Sequence, residues 1–184
     1  MKPARVVLIG PECTGKTRLA EDLAAFYAVP WAPEHARAYV DACKRPLSFA
    51  DVDEIGRGQL AGEDHLLARA AAEGAPFVLL DTDLVSTMVY SRHYYDNCPY
   101  WIEAEAVRRL GDLYLLHHID VDWQADGLQR EQPERREELF VRFKLTLELL
   151  EARVAEIAGD WKERRRRAVA AIAALRGVAG GPGG

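Results

Sequence analysis

A chain of 184 residues, 49% of them apolar, has the length of one domain and enough apolar side chains for a core without disulfides or metals. Its formal net charge of −5 argues against general affinity for nucleic acid or an anionic membrane, leaving small molecules as the expected partners. Cys13, Cys43 and Cys98 form no CxxC pair, and neither a signal-peptide core nor a bilayer-length apolar stretch is present, so a disulfide framework and a zinc site are excluded and the cytoplasm is expected.

The run Ala4 to Ile9 (ARVVLI) is apolar, β-branched and closed by Gly-Pro, the pattern of a strand buried on both faces of a parallel sheet. From Lys16 to Tyr27, apolar side chains at Leu19, Ala20, Leu23, Ala24 and Phe26 recur at helical spacing and form an inward stripe. Val29 to Trp31 reads as a short second strand, which places Pro33-Glu34-His35-Ala36-Arg37 at its C-terminal end. Ser48 and Asp51 form a capping pair for a helix running to about Ala72. Pro76 to Asp83 is another buried strand, ending in two acids.

Helices are expected at Leu84 to His93 and Tyr100 to Leu110, and a fourth strand at Asp112 to Ile119. Gln124 to Arg136 is polar, with five charges from Arg130 onward, and reads as an exposed excursion. A helix resumes over Leu139 to Leu150, a fifth strand fits Val154 to Ala158, and a last helix covers Trp161 to Leu175 with Arg164 to Arg167 on its solvent face. Strands and helices alternate, so the expected class is α/β, a three-layer sandwich around a mostly parallel five-stranded sheet. One domain is expected over 1–176, with a flexible glycine-rich tail over 177–184.

Between the first strand and first helix, Gly10-Pro11-Glu12-Cys13-Thr14-Gly15-Lys16-Thr17 matches G-x-x-x-x-G-K-[ST] in the context that motif requires. Its glycines let backbone amides surround a phosphate, the helix N-terminus adds its positive dipole end, and Arg18 continues the segment. ATP and Mg²⁺ are therefore the expected cofactors: Lys16 reaches the β- and γ-phosphates, and the Thr17 hydroxyl reaches the metal. The architecture expected around such a loop is P-loop kinase-like.

Asp81 and Asp83 emerge at the same sheet edge. Asp81 is assigned to Mg²⁺, directly or through a water. Asp83 is open between a helix cap and a role with substrate. Glu34, with Arg37 three residues on, is a candidate general base for an acceptor hydroxyl, against the alternative of an exposed Glu–Arg pair; the choice of base between Glu34 and Asp83 is open. Within a lid expected around 124–136, Arg130 is preferred over Arg135 and Arg136 for neutralising the transferred phosphoryl group, because it follows the turn Asp126-Gly127. His117 and His118 lack metal-ligand spacing and carry no assigned chemistry. A kinase of another nucleoside or small metabolite would share the glycine loop and Glu34 and differ in its acceptor pocket. A nucleotide-dependent regulatory ATPase shares the glycine loop, whereas compact size, the acid on the acceptor side and the arginine-bearing segment favour a kinase.

Four segments in order, 10–17, Pro33-Glu-His-Ala-Arg37, Asp81-Thr-Asp83 and Asp120-Val-Asp-Trp-Gln-Ala-Asp-Gly-Leu-Gln-Arg130, resemble the ribosylnicotinamide kinase domain of NadR-type proteins. The resemblance implies transfer of the ATP γ-phosphate to the 5′-hydroxyl of nicotinamide riboside, a nucleoside-type acceptor, by a stand-alone kinase. It places Glu34 and Arg37 near the ribose, Asp81 near Mg²⁺, and Trp123 and Asp126 in the lid region. Pro33 stands where the family commonly has a ring-clamping aromatic, which leaves Trp31 and Tyr39 as aromatic candidates.

Overall fold

The computed structural model describes residues 2–121 and 133–179. Five strands, β1 (Ala4–Ile9), β2 (Trp31–Ala32), β3 (Phe77–Asp81), β4 (Leu113–His117) and β5 (Val154–Ile157), form one sheet in the order β2-β3-β1-β4-β5. All four strand pairings are parallel.

The helices are α1 (Lys16–Tyr27), α2 (His35–Cys43), α3 (Val52–Glu73), α4 (Leu84–Tyr95), α5 (Tyr100–Arg108), α6 (Pro133–Leu149) and α7 (Trp161–Ala179). Strand periodicity divides the core into two layers. Val6 and Leu8 of β1, with Phe77, Leu79, Leu113 and Leu115, pack against Leu19 and Leu23 of α1 and Ala168 and Ile172 of α7. Val7 and Ile9, with Val78, Leu80, Tyr114 and Leu116, meet residues of α3, α4, α5 and α6. Among the described residues no helix is long and apolar enough to cross a membrane.

Phe26, expected on the inward stripe of α1, is instead 53% exposed, off the Leu19–Leu23 line and covered by the Arg165 guanidinium, and several boundaries differ from the sequence expectations. Val29 donates its N–H back to the Ala24 carbonyl at the end of α1, so β2 starts at Trp31 rather than Val29. The expected box at Ser48 and Asp51 is formed; it opens one 3-10 turn before α3 begins at Val52. α6 starts at Pro133, a residue suited to the first helical position, so Arg135 and Arg136 are helical rather than part of an exposed excursion, and Arg136 is buried. α7 continues to Ala179, into the segment expected to be a flexible tail.

The connection leaving β1 passes through α1 toward β2, while the one leaving β3 passes through α4 and α5 toward β4. Neighbouring strands whose connections depart to opposite sides open a crevice at their C-terminal ends. The register Leu8↔Asp81 aligns the start of the glycine loop with the acids of β3 there.

Candidate functional site

The loop between β1 and α1 depends on backbone conformations that most residues avoid. Gly10 (φ +132) runs so close to β4 that a Cβ would lie 2.8 Å from the His117 carbonyl oxygen. Gly15 (φ +79) is the N-cap of α1 and lies under the Trp161 indole. No side chain caps α1 and its first turn holds no acid, so its leading amides are available to an anion. The buried Lys16 ammonium donates to the carbonyls of Gly10 (3.0 Å) and Pro11 (2.7 Å), folded across the loop it would serve.

Two buried side chains, Arg164 and His117, contact the Thr14 carbonyl of the loop, and the first differs from expectation. Arg164 was assigned to a solvent face, yet it is fully buried. Its guanidinium donates to the carbonyls of Thr14 (3.2 Å), Gly159 (2.8 Å) and His118 (3.2 Å) and pairs with Asp120. The reason is register: Arg164, Ala168 and Ile172 are four residues apart and share the buried stripe of α7, while Arg166 and Arg167 face outward. His117 places Nδ1 3.1 Å from the Thr14 carbonyl and 3.4 Å from the Arg164 guanidinium; with the proton on Nδ1 it donates to Thr14. Burial, with Lys16 and Arg164 adding to it, lowers the imidazole to about 3, so the ring is neutral.

The loop and β3 meet at Thr17 and Asp81. The Thr17 hydroxyl donates to Asp81 Oδ2 at 2.5 Å, while the buried Oδ1 has no hydrogen-bond partner. A hydroxyl and a carboxylate oxygen side by side form an oxygen donor pair that fits a hard divalent cation. Thr82, between the two acids, holds φ 72, an uncommon conformation for a β-branched residue. Asp83 caps α4, accepting from Val85 N (3.0 Å) and Ser86 N (3.3 Å), and its other oxygen accepts from the Tyr114 hydroxyl at 2.7 Å. Of the two roles open for Asp83, the structure displays the cap.

Glu34 is the N-cap of α2 but makes no side-chain capping bond. Removal from water raises its carboxyl above the ordinary value; Lys16 opposes this, Asp81 adds to it and Arg37 opposes it. The carboxylate is thus within electrostatic reach of both the loop lysine and the β3 acid. Arg37 is exposed one turn along α2. Beside the start of α2, a groove of ≈ 550 Å³ is lined by His35, Asp53, Glu54, Arg57 and Gly58, with Trp101 donating to Asp53 and lying under Arg57. Neither expected ring candidate stands free: Trp31 packs on the α1/α7 core layer and Tyr39 donates to Asp51. A second groove, ≈ 340 Å³, runs along Arg18, Leu19, Asp22, Trp161, Lys162 and Arg165, with the Arg18 guanidinium 4.3 Å from the Trp161 ring. Trp123, Asp126 and Arg130 lie outside the described residues.

Fold, glycine loop and paired acid together define a P-loop protein of the kinase-like α/β class. Residues 5–164 match the AAA domain family, and the chain belongs to it. No curated protein matches it in sequence. Among solved structures it is similar to the NadR protein in complex with NR, at 22% identity and a TM-score of 0.80 over 95% of this chain and 51% of that one. It is also similar to the NadR protein in complex with NAD and AMP-PNP, at 22% identity and a TM-score of 0.74 over 95% of this chain and 50% of that one. Thymidylate kinase from Ehrlichia chaffeensis shares the fold at 12% identity and a TM-score of 0.64, over 96% of this chain and 100% of that one. The chain thus spans about half the length of the NadR chains it matches.

Proposed function

We propose that this protein is an ATP-dependent kinase of a small nucleoside-type acceptor, acting in the cytoplasm, and that the acceptor is nicotinamide riboside, phosphorylated on its 5′-hydroxyl to nicotinamide mononucleotide. The observation that supports this reading is Glu34, the N-cap of α2, whose carboxyl interacts electrostatically with both Lys16 and Asp81. In a kinase the attacking hydroxyl must lose its proton as its oxygen bonds to the γ-phosphorus and the bond to the ADP oxygen breaks, and Glu34 is the acid assigned to take it. A hydrolytic water makes the same demand, and it is the similarity to nucleoside-binding and kinase structures that favours the kinase.

In this reading the glycine loop and Lys16 hold the β- and γ-phosphates, and the groove by Arg18 and Trp161 takes the nucleotide's base. Thr17 and Asp81 would hold Mg²⁺, which supplies charge neutralisation for the phosphates when bound. Glu34 accepts the hydroxyl proton, and its raised pKa brings it nearer the operating pH of a general base. Arg37 orients the ribose, and Arg130 neutralises charge on the phosphoryl group in transit. The groove beside α2 carries Asp53, paired with Arg57, and Glu54, whose carboxylate suits a cationic pyridinium ring. The two NadR structures, in complex with NR and with AMP-PNP, support the same pair of ligands.

The test is single-turnover phosphoryl transfer by the wild type, Lys16→Ala and Glu34→Gln. Lys16→Ala is expected to abolish transfer, and Glu34→Gln to slow it by roughly 10²- to 10⁴-fold while ATP still binds. Full transfer by Glu34→Gln would refute the assignment of the base.

A further inference from the structure

α3 turns one polar pair, Gln59 and Glu63, into the interior on the same stripe as Ile55, Leu66 and Ala70. Gln59 is 5% exposed, and both ends of its amide are engaged. Oε1 accepts from the backbone N–H of His35 at 3.2 Å. Nε2 donates to the Thr82 carbonyl and to Glu63 Oε1, each at 3.2 Å. The amide fits in one orientation only: turned over, it would set its NH₂ against the His35 N–H and its oxygen against two acceptors.

The two backbone groups it joins belong to the two halves of the site. His35 is the first residue of α2, directly after Glu34. Thr82 stands between Asp81 and Asp83, its own N–H donating to the Leu8 carbonyl at 3.0 Å. α2 buries one side chain, Val40, and is further tied to the N-cap of α3 by the Tyr39 hydroxyl donating to Asp51 near its far end, so the Gln59 link acts at its start, next to Glu34. The Glu34 side chain makes no capping bond that would fix it to its own helix. A buried amide thus ties the residue after Glu34 to the residue after Asp81, reinforcing the β2–β3 pairing that precedes Glu34.

We infer that Gln59 is a positioning residue for phosphoryl transfer, holding Glu34 against the β3 acids through the His35 N–H and the Thr82 carbonyl. The inference rests on the reading of Glu34 as the general base. It predicts that loss of the link lowers kcat while ATP binding is untouched, because the glycine loop is held separately, by Arg164 and His117.

His35 offers a way to cut the link with little disturbance. Proline is favoured at a first helical position, and Glu34, at φ −62 and ψ 121, already has the extended conformation a following proline demands. His35→Pro removes the N–H, whereas His35→Ala keeps it and controls for loss of the ring. Steady-state kinetics with Mg-ATP and nicotinamide riboside would be measured for both variants, for Gln59→Leu, and for Gln59→Leu combined with Glu34→Gln.

The expected result is a kcat for His35→Pro roughly ten- to a hundredfold below that of His35→Ala, with KM for ATP unchanged. Gln59→Leu should show the same loss, and adding it to Glu34→Gln should cost nothing further, because both act through one group. Equal kcat for the two His35 variants, or a Gln59→Leu penalty that persists in full on the Glu34→Gln background, would overturn the inference and leave Glu34 as base. Full activity of Glu34→Gln alone would remove the underlying reading as well. A change confined to KM for the acceptor would make Gln59 a substrate contact and also overturn it.

Discussion

Glu63 lends itself to a test of the buried network by pH. Its side chain is 1% exposed, paired with Arg5 at 2.7 Å and bonded to Gln59 at 3.2 Å. Burial, reinforced by the nearby Asp83 and opposed by Arg5 and Gln59, moves its carboxyl from 4.5 up to about 7. The folded state thus holds this proton more tightly than the unfolded chain. The resulting stabilisation is fully present below pH 4.5 and is lost as pH rises through about 7. At about 1.4 kcal/mol per pKa unit, the difference between those two values corresponds to about 3 kcal/mol.

Glu63→Gln keeps an oxygen for Gln59 and removes the titration. It also leaves Arg5 facing a neutral amide, a cost that does not vary with pH over this range, so the observable is the slope. Urea unfolding followed by circular dichroism from about pH 4.5 to pH 8 should show the wild type losing about 3 kcal/mol relative to the variant. Stability curves that run parallel across that range would refute the reasoning.

Two further substitutions probe the glycine loop. Gly15→Ala forces a Cβ into a φ of +79 and into the Trp161 indole, so it should cost about 1–3 kcal/mol of stability by thermal unfolding and weaken ATP binding by calorimetry. Adding Trp161→Ala should relieve the contact but not the backbone strain, giving partial recovery. Arg164→Leu removes the donors to Thr14, Gly159 and His118, with Asp120 left half-exposed to water, and should cost about 2–3 kcal/mol and raise the Kd for ATP. An unchanged midpoint and Kd would show that the brace is dispensable.

The parts legible in the sequence are those where local pattern and tertiary role agree. β1 and α1 were found at their observed limits because an apolar run, a glycine loop and a helical stripe follow one another without conflict. Asp81 was placed because it ends a buried strand. Arg164 was misread because an arginine run normally marks a solvated face; its spacing of four from Ala168 and eight from Ile172 was the available signal. Gln59 offered a similar one, a polar side chain on the inward stripe of α3. The positive φ of Thr82 had no local signal, since nothing in Asp-Thr-Asp specifies it and the surrounding ladder imposes it.

The central claim is transfer of phosphate from ATP to a nucleoside-type hydroxyl, and product mass tests it most directly. Purified protein with Mg-ATP would be incubated with nicotinamide riboside, with ordinary nucleosides and with no acceptor. The account predicts one new species, nicotinamide riboside heavier by a single phosphoryl group, and negligible ATP loss without acceptor. ATP consumption at the same rate in every tube, with no phosphorylated acceptor in any, would contradict it and identify a nucleotide-driven ATPase instead.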